Sequence, residues 1–494
     1  MEQDRRGPAK GFKPGVSGFL PIGLSLGFLA LVAAVAASSA GSVTGSWLIV
    51  GAAVIGGYMA LNIGANDVAN NMAPVVAARA LTMGGALAVA AVFEAAGALL
   101  AGADVVETVS RGIINPAGIA TSGIFVAVMM AALLGAALWL NLATYVGAPV
   151  STTHSIVGGV LGAGLAAAGL EVVNWPVLAA IVASWVVSPV LGGILAALLL
   201  AVLNRLILQA QDRIAASRFW VPVVVGATAA TFAAYLIQKG LSRVWKPDTI
   251  LMLALVAGIF VLVAWIARML VDRQAPLLEN SKKGVGTLFA IPLIVSAAIL
   301  SFAHGANDVA NAIGPLAAIV SSVQGTVGEK VQVPGWIMVI GALGLSAGLA
   351  LFGPRLIHMV GQQITRLTPV RAFCVAVAAA ATVLAASALG LPVSSTHIAV
   401  GAIFGVGLAR EYYGSRGGHL KRARREREAS LSTSVAQISA LPAAPGKEKR
   451  RRRKLVRRRH LLTIVTAWLV TVPLTALLSA VLFHVTRLLT GPVS

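Results

Sequence analysis

The sequence predicts an all-α polytopic membrane protein: an inverted-topology repeat with about 10–12 transmembrane helices. Three observations carry that expectation. Of 494 residues, 58% are hydrophobic and only 11% charged, the mean hydropathy is +0.88, and apolar runs of roughly 20 residues, long enough to cross a bilayer, recur throughout. The stretch Gly64-Ala65-Asn66-Asp67-Val68-Ala69-Asn70 returns unchanged as Gly305-Ala306-Asn307-Asp308-Val309-Ala310-Asn311, 241 positions later. Finally, Pro149-Val150-Ser151-Thr152-Thr153-His154 returns as Pro392-Val393-Ser394-Ser395-Thr396-His397, at an offset of 243. Two spaced motifs repeated in the same order mark an internal duplication.

In chain order, residues 1–45 hold a basic cytoplasmic N-terminus (Arg5, Arg6, Lys10, Lys13) and an extra first span near 18–38. The first repeat, 46–203, has spans near 46–65, 81–103, 119–143 and 177–203. Segment 204–284 is a cytoplasmic loop with Arg205, Arg213 and Arg218, followed by linking helices near 220–238 and 250–271. The second repeat resumes over 285–408, with spans near 285–303, 334–352 and 370–390. A basic cytoplasmic loop, 409–460, precedes the last helix, within 461–494. Basic loops face the cytoplasm, so the helix entering the second Asn-Asp copy runs opposite to the one entering the first. A looser echo, Ser184-Trp185-Val186-Val187-Ser188-Pro189 against Ala467-Trp468-Leu469-Val470-Thr471-Val472-Pro473, stands at an offset of 283, because the basic loop is inserted only in the second half.

That loop carries 17 Lys or Arg and four Glu between Arg410 and Arg459 and supplies most of the net charge of +21. Beside apolar spans this is a topology signal, and no aromatic or folded motif accompanies it to suggest nucleic-acid binding. The single cysteine, Cys374, excludes an intrachain disulfide and a multi-thiolate metal site. With no cleavable leader and no N-glycosylation acceptor evident, the expected location is the cell membrane, multi-pass, in the manner of a bacterial inner membrane protein.

Each Asn-Asp copy places a carboxylate at membrane depth, which is costly and marks a functional site. In the Pro-Val-Ser motif, proline suits the first helical turn and serine the cap. A short helix therefore starts there after a break inside the membrane, and its free N–H groups and positive dipole end favour an anion. Ser151, Thr152, Thr153, Ser394, Ser395 and Thr396 add hydroxyl donors; the plainer reading is that they only cap a packed hairpin. Asn66 and Asn307 donate amide hydrogens, whereas Asp67 and Asp308 only accept while ionised. An anion with its own hydroxyl, hydrogen phosphate or dihydrogen phosphate, suits that set better than sulfate. The same oxygens, Asp67, Asn70, Asp308 and Asn311, suit a hard coupling cation such as sodium; the Asp could instead carry a proton, and Asn70 and Asn311 could simply tie helices together.

The doubled Gly-Ala-Asn-Asp-Val-Ala-Asn and Pro-Val-Ser motifs resemble the inorganic phosphate transporter (PiT) family, over about 58–486. The resemblance implies a cation-coupled phosphate symporter with inverted repeats, re-entrant hairpins and a homodimeric assembly. It assigns Asn66, Asp67, Asn307 and Asp308 to the substrate and cation core. Ser151, Thr152, Thr153, Ser394, Ser395 and Thr396 become the hairpin tips that hold phosphate. Two departures stand out: the span at 18–38 precedes the family's usual opening helix, and the basic loop lies late in the second half. Sulfate carriers also belong to the family.

Glu94, with no acidic equivalent in the second half, is a possible proton or cation site, or a hydrogen-bonding tie between helices. His154 and His397 are possible proton carriers or locks for the hairpins. His304 matches Ile63 in the first half, which argues against a shared role for it. The leading function is a secondary active symporter importing inorganic phosphate with Na+ or H+, by alternating access at a midplane site shared by the two repeats. The alternatives are a sulfate or related oxyanion permease, or an anion channel. An enzyme is not expected: a Ser–His neighbour pair at Ser151 or Ser394 lacks a third orienting group. No cofactor is implied beyond the coupling cation; the partners are phosphate, that cation, the lipid bilayer and a second copy of the chain, with no nucleic acid.

Overall fold

The computed structural model describes residues 19–41, 45–146, 150–242, 245–325, 333–363, 367–412 and 458–490. Most of the basic loop therefore lies outside the described residues. Within them the chain is helical, its only β pairing a single antiparallel bridge between Ile114 and Val173. Among the described residues, eleven helices are long and apolar enough to cross a membrane, which makes this a multi-pass membrane protein.

In order, the helices are α1 (Phe19–Ala40), α2 (Ser46–Ala77), α3 (Met83–Ala101), the short α4 (Ala103–Glu107), α5 (Ser122–Val146), α6 (Thr152–Ala168), α7 (Trp175–Leu203), α8 (Arg213–Tyr235), α9 (Thr249–Gln274), the short α10 (Lys282–Leu288), α11 (Ala290–Val323), α12 (Gly335–Gln363), α13 (Pro369–Ala388), α14 (395–412) and α15 (Arg458–Thr490). α11 and α13 are the most buried spans among the described residues, whereas α9 has only 6% of its most apolar window buried.

The spans expected to stop near 65 and 303 do not stop. α2 runs for 32 residues and α11 for 34, each passing through its Asn-Asp motif. A helix satisfies its own backbone in an apolar medium, and the polar side chains find partners on neighbouring helices rather than in water. The residues after each motif, Val68, Ala69, Met72 and Ala73 in α2 and Val309, Ala310, Ala312 and Ile313 in α11, are buried. Nothing there favours a break.

Breaks do occur before the Ser-Thr motifs. Between α13 and α14 the chain turns at Gly390, whose φ of 67° is a conformation glycine adopts without strain. Ser151 then caps α6 by accepting from His154 N (3.2 Å), and Ser394 accepts from His397 N (3.3 Å) in the same way.

The duplication is visible in the packing. At Gly64 an added Cβ would strike the Leu345 carbonyl, and at Gly348 the Leu61 carbonyl, so α2 and α12 touch backbone to backbone. At Gly305 it would strike the Glu94 carbonyl, and at Gly97 that of Phe302, so α11 and α3 meet in the same fashion. Each member of the second crossing stands 241 positions after, or 251 before, its counterpart in the first. Likewise Gly401 and Gly405 of α14 abut Pro189 and Gly193 of α7, while Gly158 and Gly162 of α6 abut Val472 and Ala476 of α15. The last pairs keep the 283 offset read from the Trp-containing echo. The two halves are thus interleaved: helices of each pack on helices of the other. Small residues permit this, because apolar helices in lipid associate through close packing.

Candidate functional site

Interleaving brings both Asn-Asp motifs and both Ser-Thr helix starts together. Asp67 and Asp308 are each 1% exposed. Asp67 Oδ1 accepts from its neighbours Asn66 Nδ2 (2.9 Å) and Asn70 Nδ2 (3.4 Å) and from Thr396 Oγ1 (3.1 Å), at the start of α14. Asn70 Nδ2 also donates to Thr396 Oγ1 (2.8 Å). Asp308 Oδ2 accepts from Ser395 Oγ (3.0 Å). Asn311, one turn after Asp308, donates from Nδ2 to Thr153 Oγ1 (3.2 Å) and Thr152 Oγ1 (3.4 Å), at the start of α6. Thr153 Oγ1 in turn donates to the Val393 carbonyl (2.9 Å), joining the two helix starts.

Asn66 and Asn307 are engaged differently from the other motif residues. Asn307 donates from Nδ2 to the Leu391 carbonyl (3.1 Å) and to Ser387 Oγ (2.9 Å), and its Oδ1 accepts from Val393 N (3.0 Å). Asn66 Nδ2 reaches the Val150 carbonyl (3.4 Å). Each asparagine thereby ties its helix to the break in its own half, while Asn70 and Asn311 tie across to the other half. Ser151 and Ser394 act as caps, and the hydroxyls nearest the carboxylates are those of Ser395 and Thr396.

His304 sits between the carboxylates. Its Nδ1 lies 3.1 Å from Glu94 Oε1, and its Nε2 lies 3.0 Å from Asp308 Oδ2 and 3.7 Å from Asp67 Oδ2. All four side chains are essentially inaccessible. Asn71 Nδ2 donates to Glu94 Oε1 (3.1 Å), fixing the far end. Neither imidazole nitrogen makes a well-directed hydrogen bond, so these are charge contacts rather than aligned bonds. Comparison with Ile63 argued against His304, yet this residue joins α11 to α2 and α3. The usable signal was a second absence: Glu94 also lacks a polar counterpart, and the packing identifies that counterpart as Leu345.

His154 and His397 line a different part of the structure from the carboxylate cluster. Their rings are 4.6 Å apart, and His154 stacks on Trp185 at 3.7 Å. Both line an apolar groove of about 900 Å³ among α7, α14 and α15, in which no carboxylate takes part. Ser151 Oγ does lie 2.8 Å from His154 Nδ1, the Ser–His neighbour pair weighed from the sequence. The same oxygen serves as the helix cap.

The cluster has the donor set of a cation site. Asp67 Oδ2, Asp308 Oδ1 and Asn311 Oδ1 are buried oxygens with no hydrogen-bond donor, and such groups are costly unless a ligand meets them. One ligand atom each from Asp67, His304 and Asp308 lie within 4.8 Å of one another. The anion-favouring elements, the starts of α6 and α14 with their hydroxyls, adjoin these carboxylates.

Comparison with known proteins identifies the family. The phosphate transporter family profile matches residues 63–479. A Helicobacter pylori protein carrying the name "Putative phosphate permease" is 44% identical, over 94% of each chain. A Pyrococcus abyssi protein of the same description is 37% identical, over 89% of this chain and 98% of its own. A solved structure described as the sodium-dependent phosphate transporter superposes with a TM-score of 0.77 at 33% identity, covering 89% of this chain and 99% of that one. The chain belongs to the phosphate transporter family, a family of transporters and not of enzymes.

Proposed function

We propose that the protein is a secondary active symporter that imports inorganic phosphate with a coupling cation, Na+ or H+, at one site shared by two inverted repeats. The observation that carries this reading is the convergence of Asp67 and Asp308, from the two halves, on a single buried cluster beside the starts of α6 and α14. The phosphate oxygens take their donors from the N–H groups and hydroxyls at those helix starts. The cation takes oxygens from Asp67, Asp308 and Asn311. Without it, two buried carboxylates repel the anion; with it, their charge is offset and phosphate binds. Binding is therefore ordered or cooperative, and only the loaded or the empty site reorients, which is the condition for coupling.

The helix–break–helix pairs α5–α6 and α13–α14 support re-entrant hairpins, and packing that recurs at fixed offsets supports the repeat. A homodimer, the arrangement the family resemblance implies, would supply the scaffold against which the hairpins and the Asp helices move. Sodium is the first cation to test, because the structural neighbour is described as sodium-dependent. Labelled phosphate uptake into sealed proteoliposomes, with sodium and pH gradients imposed separately and sulfate as competitor, tests the reading. Concentrative phosphate uptake under one gradient is expected. Uptake that only equilibrates would mean a channel, and preferential sulfate uptake would reassign the anion.

A further inference from the structure

We propose that His304, clamped by Glu94, is a positioning residue for the coupling-cation site: it bridges Asp67 and Asp308 and sets the spacing of their carboxylates. The inference rests on the symport reading above and deepens it. Of the four carboxylate oxygens on the aspartates, Asp67 Oδ1 is held by Asn66, Asn70 and Thr396, and Asp308 Oδ2 by Ser395. Those donors fix each carboxylate separately. His304 Nε2 faces both, at 3.0 and 3.7 Å, and bridges them across the boundary between the halves. The other end of the ring is fixed by Glu94, itself held by Asn71.

The duplication separates this role from packing. The α3–α11 crossing contains Glu94 and His304; its counterpart, α12–α2, contains Leu345 and Ile63. Both crossings have the same pairs of glycines against the same carbonyls. An apolar pair therefore serves the crossing in one half, and the polar pair in the other is not required for helices to meet there. It is an addition on one side only, and it makes two otherwise equivalent half-sites unequal. Outer partners that orient metal ligands change metal affinity by about 10–100-fold when removed, which sets the size of effect to look for.

The experiment measures labelled phosphate uptake in proteoliposomes for the full-length protein, His304→Gln, and the double variant Glu94→Leu/His304→Ile. The double variant copies the apolar pair of the other half and is expected to fold, as judged by detergent size-exclusion profile. Half-saturating cation is read at saturating phosphate, and half-saturating phosphate at saturating cation, using whichever of sodium or external pH drives the unmodified protein. Both variants should need about tenfold or more cation, with half-saturating phosphate shifted by less than about threefold. Wild-type cation dependence in the double variant overturns the proposal, as do equal shifts in both constants or a double variant that fails to fold. No cation-driven uptake by the unmodified protein overturns the symport reading instead.

Discussion

Where α2 crosses α12, Gly64 and Gly348 each press against a backbone carbonyl, and the side chains at the crossing include Ile63 and Leu345. Where α11 crosses α3, Gly305 and Gly97 do the same, but the corresponding side chains are His304 and Glu94. Duplication preserved the packing and not the chemistry. The glycines are common to both crossings because two helix backbones at contact leave no room for a Cβ on either side. The polar residues differ: His304 and Glu94 join the buried cluster with Asp67 and Asp308, which come from different halves. The glycine contacts recur at both crossings, whereas the buried polar pair stands at one of them.

The glycines shared by the two crossings should give the largest effect. Gly305→Val and Gly64→Val should both abolish the monodisperse folded species in a size-exclusion profile. Each inserts a branched side chain where even a methyl group meets a carbonyl, and overpacking of this kind costs about 1–3 kcal/mol or more. If one variant folds normally and the other does not, the crossings are not equivalent.

A smaller effect should come from the two helix starts. Thr396 donates to an aspartate, whereas Thr153, in the matching position, donates to the Val393 carbonyl. Thr396→Ala removes a hydrogen bond to a charged group, about 1.5–3 kcal/mol, and Thr153→Ala a neutral one, about 0.5–1.5 kcal/mol. Uptake at limiting cation should therefore fall further for Thr396→Ala. Equal losses would mean that the two hairpin tips see the same environment.

Trp185→Phe should be milder. It deletes the hydrogen bond from Trp185 Nε1 to the Pro392 carbonyl (3.2 Å) and keeps an aromatic face for His154, a change of about 1 kcal/mol in stability. Cation dependence should be unchanged, since this pair lines the apolar groove and not the carboxylate cluster. Least of all should follow from Lys239→Ala, at a pair with Asp104 in which both side chains are more than 40% exposed. Such pairs contribute at most about 1 kcal/mol, and thermal unfolding in detergent should barely move.

Much of this was legible in the sequence. Hydropathy located the spans because backbone groups in lipid must be satisfied within a helix, and two verbatim motifs revealed the duplication. The Pro-Val-Ser motif announced its own helix starts through cap chemistry, at Ser151 and Ser394. What failed was local. Polar Asn and Asp suggested that α2 and α11 end at the motif, because a sequence does not display the partners, such as Thr396 for Asp67, that let a helix continue through buried polar residues. His304 was discounted for want of a copy. Its partner Glu94 comes from the other half of the chain, and only the α3–α11 contact joins the two unmatched residues. Asn66 and Asn307, read as donors to an anion, also donate to the chain breaks at Val150 and Leu391, contacts between distant segments that a sequence does not display.

If Asp67 and Asp308, from different halves, form one cation-dependent site for phosphate, removing either charge should stop coupled uptake. The direct measurement is sodium- or proton-driven accumulation of labelled phosphate in proteoliposomes containing Asp67→Asn or Asp308→Asn, each matched to the unmodified protein for inserted amount. Both variants should insert and both should lose accumulation above equilibrium. Accumulation at the unmodified level by either one would contradict the account.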